Sequence, residues 1–137
     1  MKPELLAKYF DHTILKPDAT TKEVEQICKE ALEYGFFSVC VNPEHVKLVK
    51  ANLSESDVKI CSVIGFPLGA NTSEIKALET KKAIRDGAHE FDMVINIGAL
   101  KENNLQKVEA DIRAVVQAAE ENRVKVQSFD VLPRTDL

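Results

Sequence analysis

The chain has 137 residues, of which 45% are apolar and 29% are charged, and its formal net charge at pH 7 is −4. This size and composition are typical of one soluble globular domain that buries a core of its own. The negative charge argues against a protein that holds nucleic acid or an anionic membrane by electrostatic attraction.

Strand and helix signals alternate along the chain. Thr20 and Glu23 fit a capping box at the start of the first long helix, and Gly35 fits its C-terminal stop. Asn42 and Pro43 fit the N-cap and the first position of the second helix. After a short N-terminal helix, the predicted elements are strand 9–15, helix 20–35, strand 36–43, helix 43–53, strand 58–67, helix 71–87, strand 89–98, helix 103–122 and strand 123–129. This order predicts an α/β domain in which helical crossovers join parallel strands.

Most predicted strands carry one apolar face and one polar face, which bears on the choice between two α/β architectures. Central strands of a doubly wound sheet are apolar on both faces, whereas the inner wall of a barrel can hold polar side chains around a site. The polar face collects Asp11, Thr13, Ser38, Cys40, Asn42, Asp92, Asn96 and Lys125. The pattern favours part of a (β/α)8 TIM barrel, with about five parallel strands and four crossover helices.

Asp92 stands out because it is a carboxylate within an otherwise apolar strand. Phe91 and Met93 flank it, and burying an unpaired carboxylate among such side chains is costly. We expect Asp92 to face the barrel interior, where Lys125 on the neighbouring strand has the phase to face the same space. Such a pair would keep the carboxylate ionised and shift both pKa values.

The cysteines and histidines show no metal-ligand spacing. Cys28, Cys40 and Cys61 are odd in number and lack a C-x-x-C motif, which indicates free thiols in a reducing cytoplasm. The three histidines are scattered, so we expect no metal site. The charged N-terminus is unlike a signal peptide, and no apolar run is long enough for a membrane span. The glycines of "GFPLGA" follow a strand without matching a phosphate-binding motif, and they fit a tight βα loop.

Four segments resemble one known family in order and spacing. "DHTILKPDAT", "SVCVNP", "VIGFPLGA" and "EFDMVINIGAL" are similar to the N-terminal half of deoxyribose-phosphate aldolase, over about Tyr9 to Val126. The resemblance implies a (β/α)8 barrel that cleaves 2-deoxy-D-ribose 5-phosphate to acetaldehyde and glyceraldehyde 3-phosphate. It also implies class I chemistry, in which a lysine forms a Schiff base with the substrate and no metal or other cofactor takes part.

The resemblance also implies roles for single residues. Asp92 matches the family's catalytic aspartate, which moves protons during Schiff-base formation and carbon–carbon cleavage. Asp11 and Thr13 match the first-strand motif of the substrate pocket, Cys40 matches a second-strand pocket cysteine, and Lys125 matches a fifth-strand lysine near the active site. The implied ligand is a small phosphorylated sugar or an aldehyde.

The match ends before the family's Schiff-base lysine. That lysine lies on the sixth strand in a motif such as V-K-T-S-T-G, which this sequence does not contain. We therefore expect residues 1–126 to form the N-terminal half of an aldolase barrel and 127–137 to be a divergent tail rather than a second domain. We also expect a truncated chain that is inactive alone. The alternatives are a non-catalytic half-barrel that is stable only as an oligomer and an unrelated small α/β binding domain.

Half a barrel has two strand edges and an open interior. We expect Val63 and Val94 to face that interior and to be exposed to water in a single chain. Pairing of two chains would cover both edges, so the expected state is a homo-oligomer, most simply a dimer.

Overall fold

The computed structural model describes residues 1–122 and the backbone of residues 129–132. The strands are β1 (Asp11–Ile14), β2 (Ser38–Val41), β3 (Lys59–Ile64), β4 (Glu90–Val94) and β5 (Phe129–Leu132). The helices are α1 (Pro3–Ala7), α2 (Thr21–Tyr34), α3 (Val46–Leu53), α4 (Ser73–Asp86), α5 (Ile97–Lys101) and α6 (Leu105–Glu121).

The five strands form one parallel sheet in the order β1-β2-β3-β4-β5. Each strand pairs with the next one in the chain, so the strand order has no reversal of the kind that defines a doubly wound sheet. Consecutive right-handed crossovers place their helices on the same face of such a sheet. The arrangement is a segment of a (β/α)8 barrel wall, as the alternating faces predicted.

The main hydrophobic core lies between the sheet and the helices. Val39 and Val41 of β2 and Phe91 and Met93 of β4 are fully buried in it. Val24, Cys28 and Ala31 of α2, Val49 of α3, Ala83 of α4 and Val115 of α6 complete this layer from the helix side. Cys40, Cys61 and Val63 form a separate cluster, which leaves them on the inner face of the sheet.

Local sequence signals account for the bounds of α2. Thr20 Oγ1 accepts the backbone N–H of Glu23, while a Glu23 carboxylate oxygen accepts the N–H of Thr20, which is the predicted capping box. Gly35 ends the helix at φ 68°, a left-handed conformation that glycine adopts without the penalty of a Cβ.

Several predicted boundaries are wrong. Strand β4 ends at Val94 rather than Gly98, because Asn96 caps a further short helix, α5, by accepting the N–H of Ala99. A 3₁₀ turn, Pro43–His45, precedes α3, and the Asn42 side chain makes no cap hydrogen bond. The described strand that pairs with β4 is Phe129–Leu132, whereas most of the predicted strand 123–129 lies outside the described residues.

The expected exposure of Val63 and Val94 is also wrong, because both side chains are fully buried. Leu15 and Phe66 pack against the cluster that contains Val63. The loop between β3 and α4 covers Val94, since a Cβ placed on Gly69 would lie 2.7 Å from Val94 Cγ1. Among the described residues, no helix has the length and apolar character needed to cross a membrane.

Candidate functional site

The inner face of the sheet brings polar side chains from consecutive strands together. Thr13 of β1 is the register partner of Cys40 in β2, and Cys40 is the partner of Cys61 in β3. Asp92 lies on β4 with Val63 as its partner in β3. Alternation along four short strands therefore builds one continuous polar surface.

The Asp92 side chain lies on this inner face, which explains why a carboxylate occurs within an apolar strand. Its side chain is half-buried, and the Cys40 thiol donates to Asp92 Oδ2 across 3.9 Å. A sulfur donor at this distance makes a weak hydrogen bond. The predicted face of Asp92 is confirmed.

Asp11 and Thr13 lie at the open side of the same surface. The Ser38 hydroxyl donates to Asp11 Oδ1 at 2.5 Å, and Thr13 Oγ1 donates to the Asp11 carbonyl at 3.0 Å. Both residues are exposed, so they can reach a bound molecule. The predicted partner of Asp92, Lys125, lies outside the described residues, and the backbone register places Asp130 of β5 opposite Asp92.

Cys61 belongs to the same cluster. Its proximity to Cys40, its burial and the negative charges of Asp92 and Asp11 raise the pKa of the Cys61 thiol well above its usual range. Strand alternation could have found it, because Cys61 and Val63 share one face of β3.

A buried ion pair behind the sheet supports the carboxyl end of β4. Lys76 of α4 is fully buried, and its ammonium donates to the Val94 carbonyl at 3.0 Å and to Asp111 of α6 at 2.6 Å. Ser73 Oγ donates to the other Asp111 oxygen at 2.8 Å. The network fixes the backbone two residues beyond Asp92. Its only signal in the sequence is that Lys76, Thr80 and Ala83 share one helical face.

The same helix also fixes the loop after β3. Glu79 accepts the N–H of Gly65 at 2.7 Å, and the Lys76 side chain passes 2.9 Å from where a Cβ on Gly65 would lie. Gly69 approaches the β4 end so closely that its Cβ would be 2.2 Å from the carbonyl oxygen of Ile95. Both glycines have positive φ, so the tight βα loop predicted for "GFPLGA" is confirmed.

A cavity opens at the carboxyl ends of β1, β2 and β3. Its volume is about 700 Å³, and its lining includes Leu15, Asn42 and Phe66, each of which follows one of these strands. The Asn42 amide donates to the Leu15 carbonyl at 3.2 Å and so joins two of these strand ends. Ligand sites of parallel α/β barrels lie at this end of the strands.

Comparison with known proteins gives one consistent result. The family described as DeoC/LacD family aldolase matches residues 5–136. A deoxyribose-phosphate aldolase of Streptococcus gordonii is 63% identical over 121 residues, which are 88% of this chain and 55% of the relative. A deoxyribose-phosphate aldolase of Clostridium perfringens is 59% identical over 124 residues, 90% of this chain and 55% of the relative.

Solved structures agree with this result. A deoxyribose phosphate aldolase from Aeropyrum pernix, described as having a unique tetrameric structure, matches with a TM-score of 0.82 and 31% identity. The match covers 95% of this chain and 53% of that one. The chain thus spans about half the length of the relatives that it matches.

Proposed function

The chain belongs to the DeoC/LacD family of aldolases, and from this premise we propose that it supplies half of a retro-aldol site. The proposed reaction cleaves 2-deoxy-D-ribose 5-phosphate to acetaldehyde and glyceraldehyde 3-phosphate, a step in the breakdown of deoxyribonucleotides in the cytoplasm. The names of the relatives support the reaction and the substrate. The observation that carries the proposal is the position of Asp92 beside Cys40 on the inner face of an ordered barrel wall.

The half-barrel supplies groups for binding and for proton transfer. Asp92 exchanges protons with the substrate hydroxyl and with the Schiff-base nitrogen, which suits a half-buried carboxylate with access to water. Asp11 and Thr13 offer an acceptor and a donor for the sugar hydroxyls. Cys40 forms part of the pocket wall, and the match of Lys125 to a family lysine makes it a further candidate for the pocket. This chemistry uses no metal and no other cofactor.

The Schiff-base lysine of this proposal comes from outside residues 1–137. We propose the division of the chain at residue 126, with 127–137 as a tail that diverges in sequence and contains β5 of the sheet rather than forming a second domain. A polypeptide of residues 1–137 is then expected to give no stoichiometric borohydride-trapped adduct with acetaldehyde, because the covalent nucleophile is missing. A site-specific adduct on Lys125 would contradict this and would identify Lys125 as a recruited nucleophile.

A chimera tests the proposed function directly. Residues 1–122 are joined to the second half of the S. gordonii relative, beginning at the residue of the relative that aligns with position 123. We expect this chimera to release glyceraldehyde 3-phosphate from deoxyribose 5-phosphate. Asp92→Asn should lower kcat by about 10²–10⁴-fold, the usual contribution of one general acid–base group.

The matched control is Asp57→Asn, because Asp57 is an exposed carboxylate in the loop before β3, at the opposite end of the sheet. Its kcat should equal that of the unsubstituted chimera. A folded chimera without activity would instead support the non-catalytic half-barrel. Equal kcat values for Asp92→Asn and Asp57→Asn would show that Asp92 does not transfer protons in the reaction.

A further inference from the structure

Three ligand-type atoms meet on the inner face of the sheet. Cys40 Sγ, Cys61 Sγ and a carboxylate oxygen of Asp92 all lie within 4.8 Å of one another. They come from β2, β3 and β4, three consecutive strands whose backbones are fixed by the parallel ladder. Both thiols are almost fully buried, and Asp92 is half-buried. The three atoms are therefore close enough together to share one bound ion.

We propose that Cys40, Cys61 and Asp92 form a binding site for a thiophilic divalent cation of the Zn²⁺ class, held by two thiolates and one carboxylate oxygen. A water molecule would take the fourth position, on the side from which Asp92 is accessible. The site is separate in chemistry from the proposed aldol reaction, which uses no metal.

The distances fit tetrahedral coordination after a small adjustment. With Zn–S bonds of about 2.3 Å and Zn–O bonds of about 2.0 Å, the sulfur atoms lie about 3.8 Å apart and a sulfur and an oxygen about 3.5 Å apart. Cys40 Sγ and Asp92 Oδ2 are 3.9 Å apart. The other two pairs lie within 4.8 Å, so no pair of ligand atoms must approach by more than about 1.3 Å, which side-chain rotation can supply.

The carboxylates near the site favour a cation, and the thiols determine which cations bind. Asp92 is itself one of the three ligands, and Asp11 of β1 lies on the same inner face, so two carboxylates are close to the site. Thiols bind such a cation as thiolates, so binding releases their protons to solvent as the sulfur lone pairs bind the metal. Only a cation with high affinity for thiolate can do this, so Zn²⁺ and Cd²⁺ should bind and Mg²⁺ and Ca²⁺ should not.

Metal binding would interfere with the proposed function, and this consequence rests on that proposal. The bound cation would take the Asp92 oxygen that the retro-aldol reaction needs for proton transfer. The test below measures metal binding without any enzyme assay. Failure of one proposal is therefore distinguishable from failure of the other.

The experiment titrates Cd²⁺ into the reduced 137-residue chain under anaerobic conditions, after all three thiols have been counted as free. We expect one equivalent to bind and to produce the ultraviolet charge-transfer band of cadmium thiolate. Cys40→Ala and Cys61→Ala should each weaken binding about tenfold or more, since even outer-shell partners of a metal are typically worth 10–100-fold. Asp92→Asn should weaken binding without removing the band.

Cys28→Ala is the matched control, because Cys28 is an equally buried thiol on α2, away from the inner face. Its titration should equal that of the unsubstituted chain. X-ray absorption of the zinc-loaded, unsubstituted chain identifies the metal ligands directly and does not depend on how well a variant folds. Two sulfur and two oxygen or nitrogen neighbours are expected. Loss of the band in Cys28→Ala, a coordination sphere without two sulfurs, or no binding at one equivalent would each overturn the proposal.

Discussion

His89, the residue before β4, forms hydrogen bonds with Ile60 of β3 through both its backbone and its side chain. Its backbone N–H donates to the Ile60 carbonyl at 2.8 Å, and its imidazole Nδ1 accepts the Ile60 N–H at 3.1 Å. Nδ1 can accept only while it carries no proton. Burial and the nearby positive charges of Lys50 and Lys59 lower the pKa of His89 below its usual value, which favours this neutral form.

The chain should therefore lose stability as the solution becomes mildly acidic. The unfolded chain takes up a proton at His89 near its ordinary pKa of about 6.5, whereas the folded chain resists it to lower pH. The unfolded state then binds more protons, so the contribution of His89 is present above about pH 6.5 and falls as the pH drops towards the folded pKa. Urea midpoints measured between about pH 7.5 and about pH 5.5 should show this slope, and His89→Gln should flatten it. A His45→Gln control should keep the slope, and an unchanged slope in His89→Gln would exclude His89 as its source.

At the level of elements, α4 acts as the support of the site. Its Lys76 holds the end of β4 through the Val94 carbonyl, and its Glu79 holds the loop after β3 through Gly65. The ion pair between Lys76 and Asp111 also ties α4 to α6. One helix thus fixes two neighbouring strand ends, which sets the position of Asp92 relative to the rest of the inner face.

Breaking the buried pair should be costly. Lys76→Met should destabilise the chain by about 3–5 kcal/mol, because it leaves the Asp111 carboxylate buried without its cation. The double variant Lys76→Met/Asp111→Leu should be more stable than either single variant, since replacing both charges by apolar side chains removes the unpaired charge. Chemical denaturation measures both.

Lys81→Met is the control on the same helix. Lys81 is partly exposed and lies 3.6 Å from Glu121, so its loss should change the free energy of unfolding by no more than about 1 kcal/mol. Similar midpoints for Lys76→Met and Lys81→Met would mean that the Lys76 pair contributes no more than a surface ion pair.

The sequence predicted those features that depend on periodicity. Alternation along each strand placed Asp92 and Cys40 on the inner face, and cap residues such as Thr20 and Gly35 located the ends of α2. Lys76 and Asp111 are 35 residues apart in the sequence and lie on different helices. Periodicity within α4 cannot show which helix Lys76 contacts.

The proposed metal site has no sequence signal for a related reason. Neither the cysteines nor the histidines show metal-ligand spacing, and two helical crossovers separate Cys40, Cys61 and Asp92 along the chain. The strand pairing places Cys40 opposite Cys61, and Asp92 opposite Val63, two residues further along β3. Alternation could place each residue on the inner face, but only the paired strands show how close together the three lie.

At the scale of the whole molecule, the sheet has two edges. Within the described sheet, β1 pairs with β2 and β5 pairs with β4, so β1 and β5 are edge strands. The β1 side also carries exposed apolar residues, among them Leu6, Phe10 and Tyr34 around a groove of about 360 Å³. Open strand edges and exposed apolar patches are both typical of surfaces that associate.

We therefore predict that the folded 137-residue chain forms a homo-oligomer, most simply a two-fold dimer, through the β1 side. Light scattering across a dilution series should give a mass above that of one chain at micromolar concentration. Phe10→Glu should shift the equilibrium towards the monomer, because it places a charge in the apolar patch. Leu78→Glu is the control: Leu78 is comparably exposed but lies on α4, and its substitution should leave the mass unchanged. A stable monomer for the unsubstituted chain would mean that both edges are covered within one chain, and the exposed patch around Phe10 would then need another explanation.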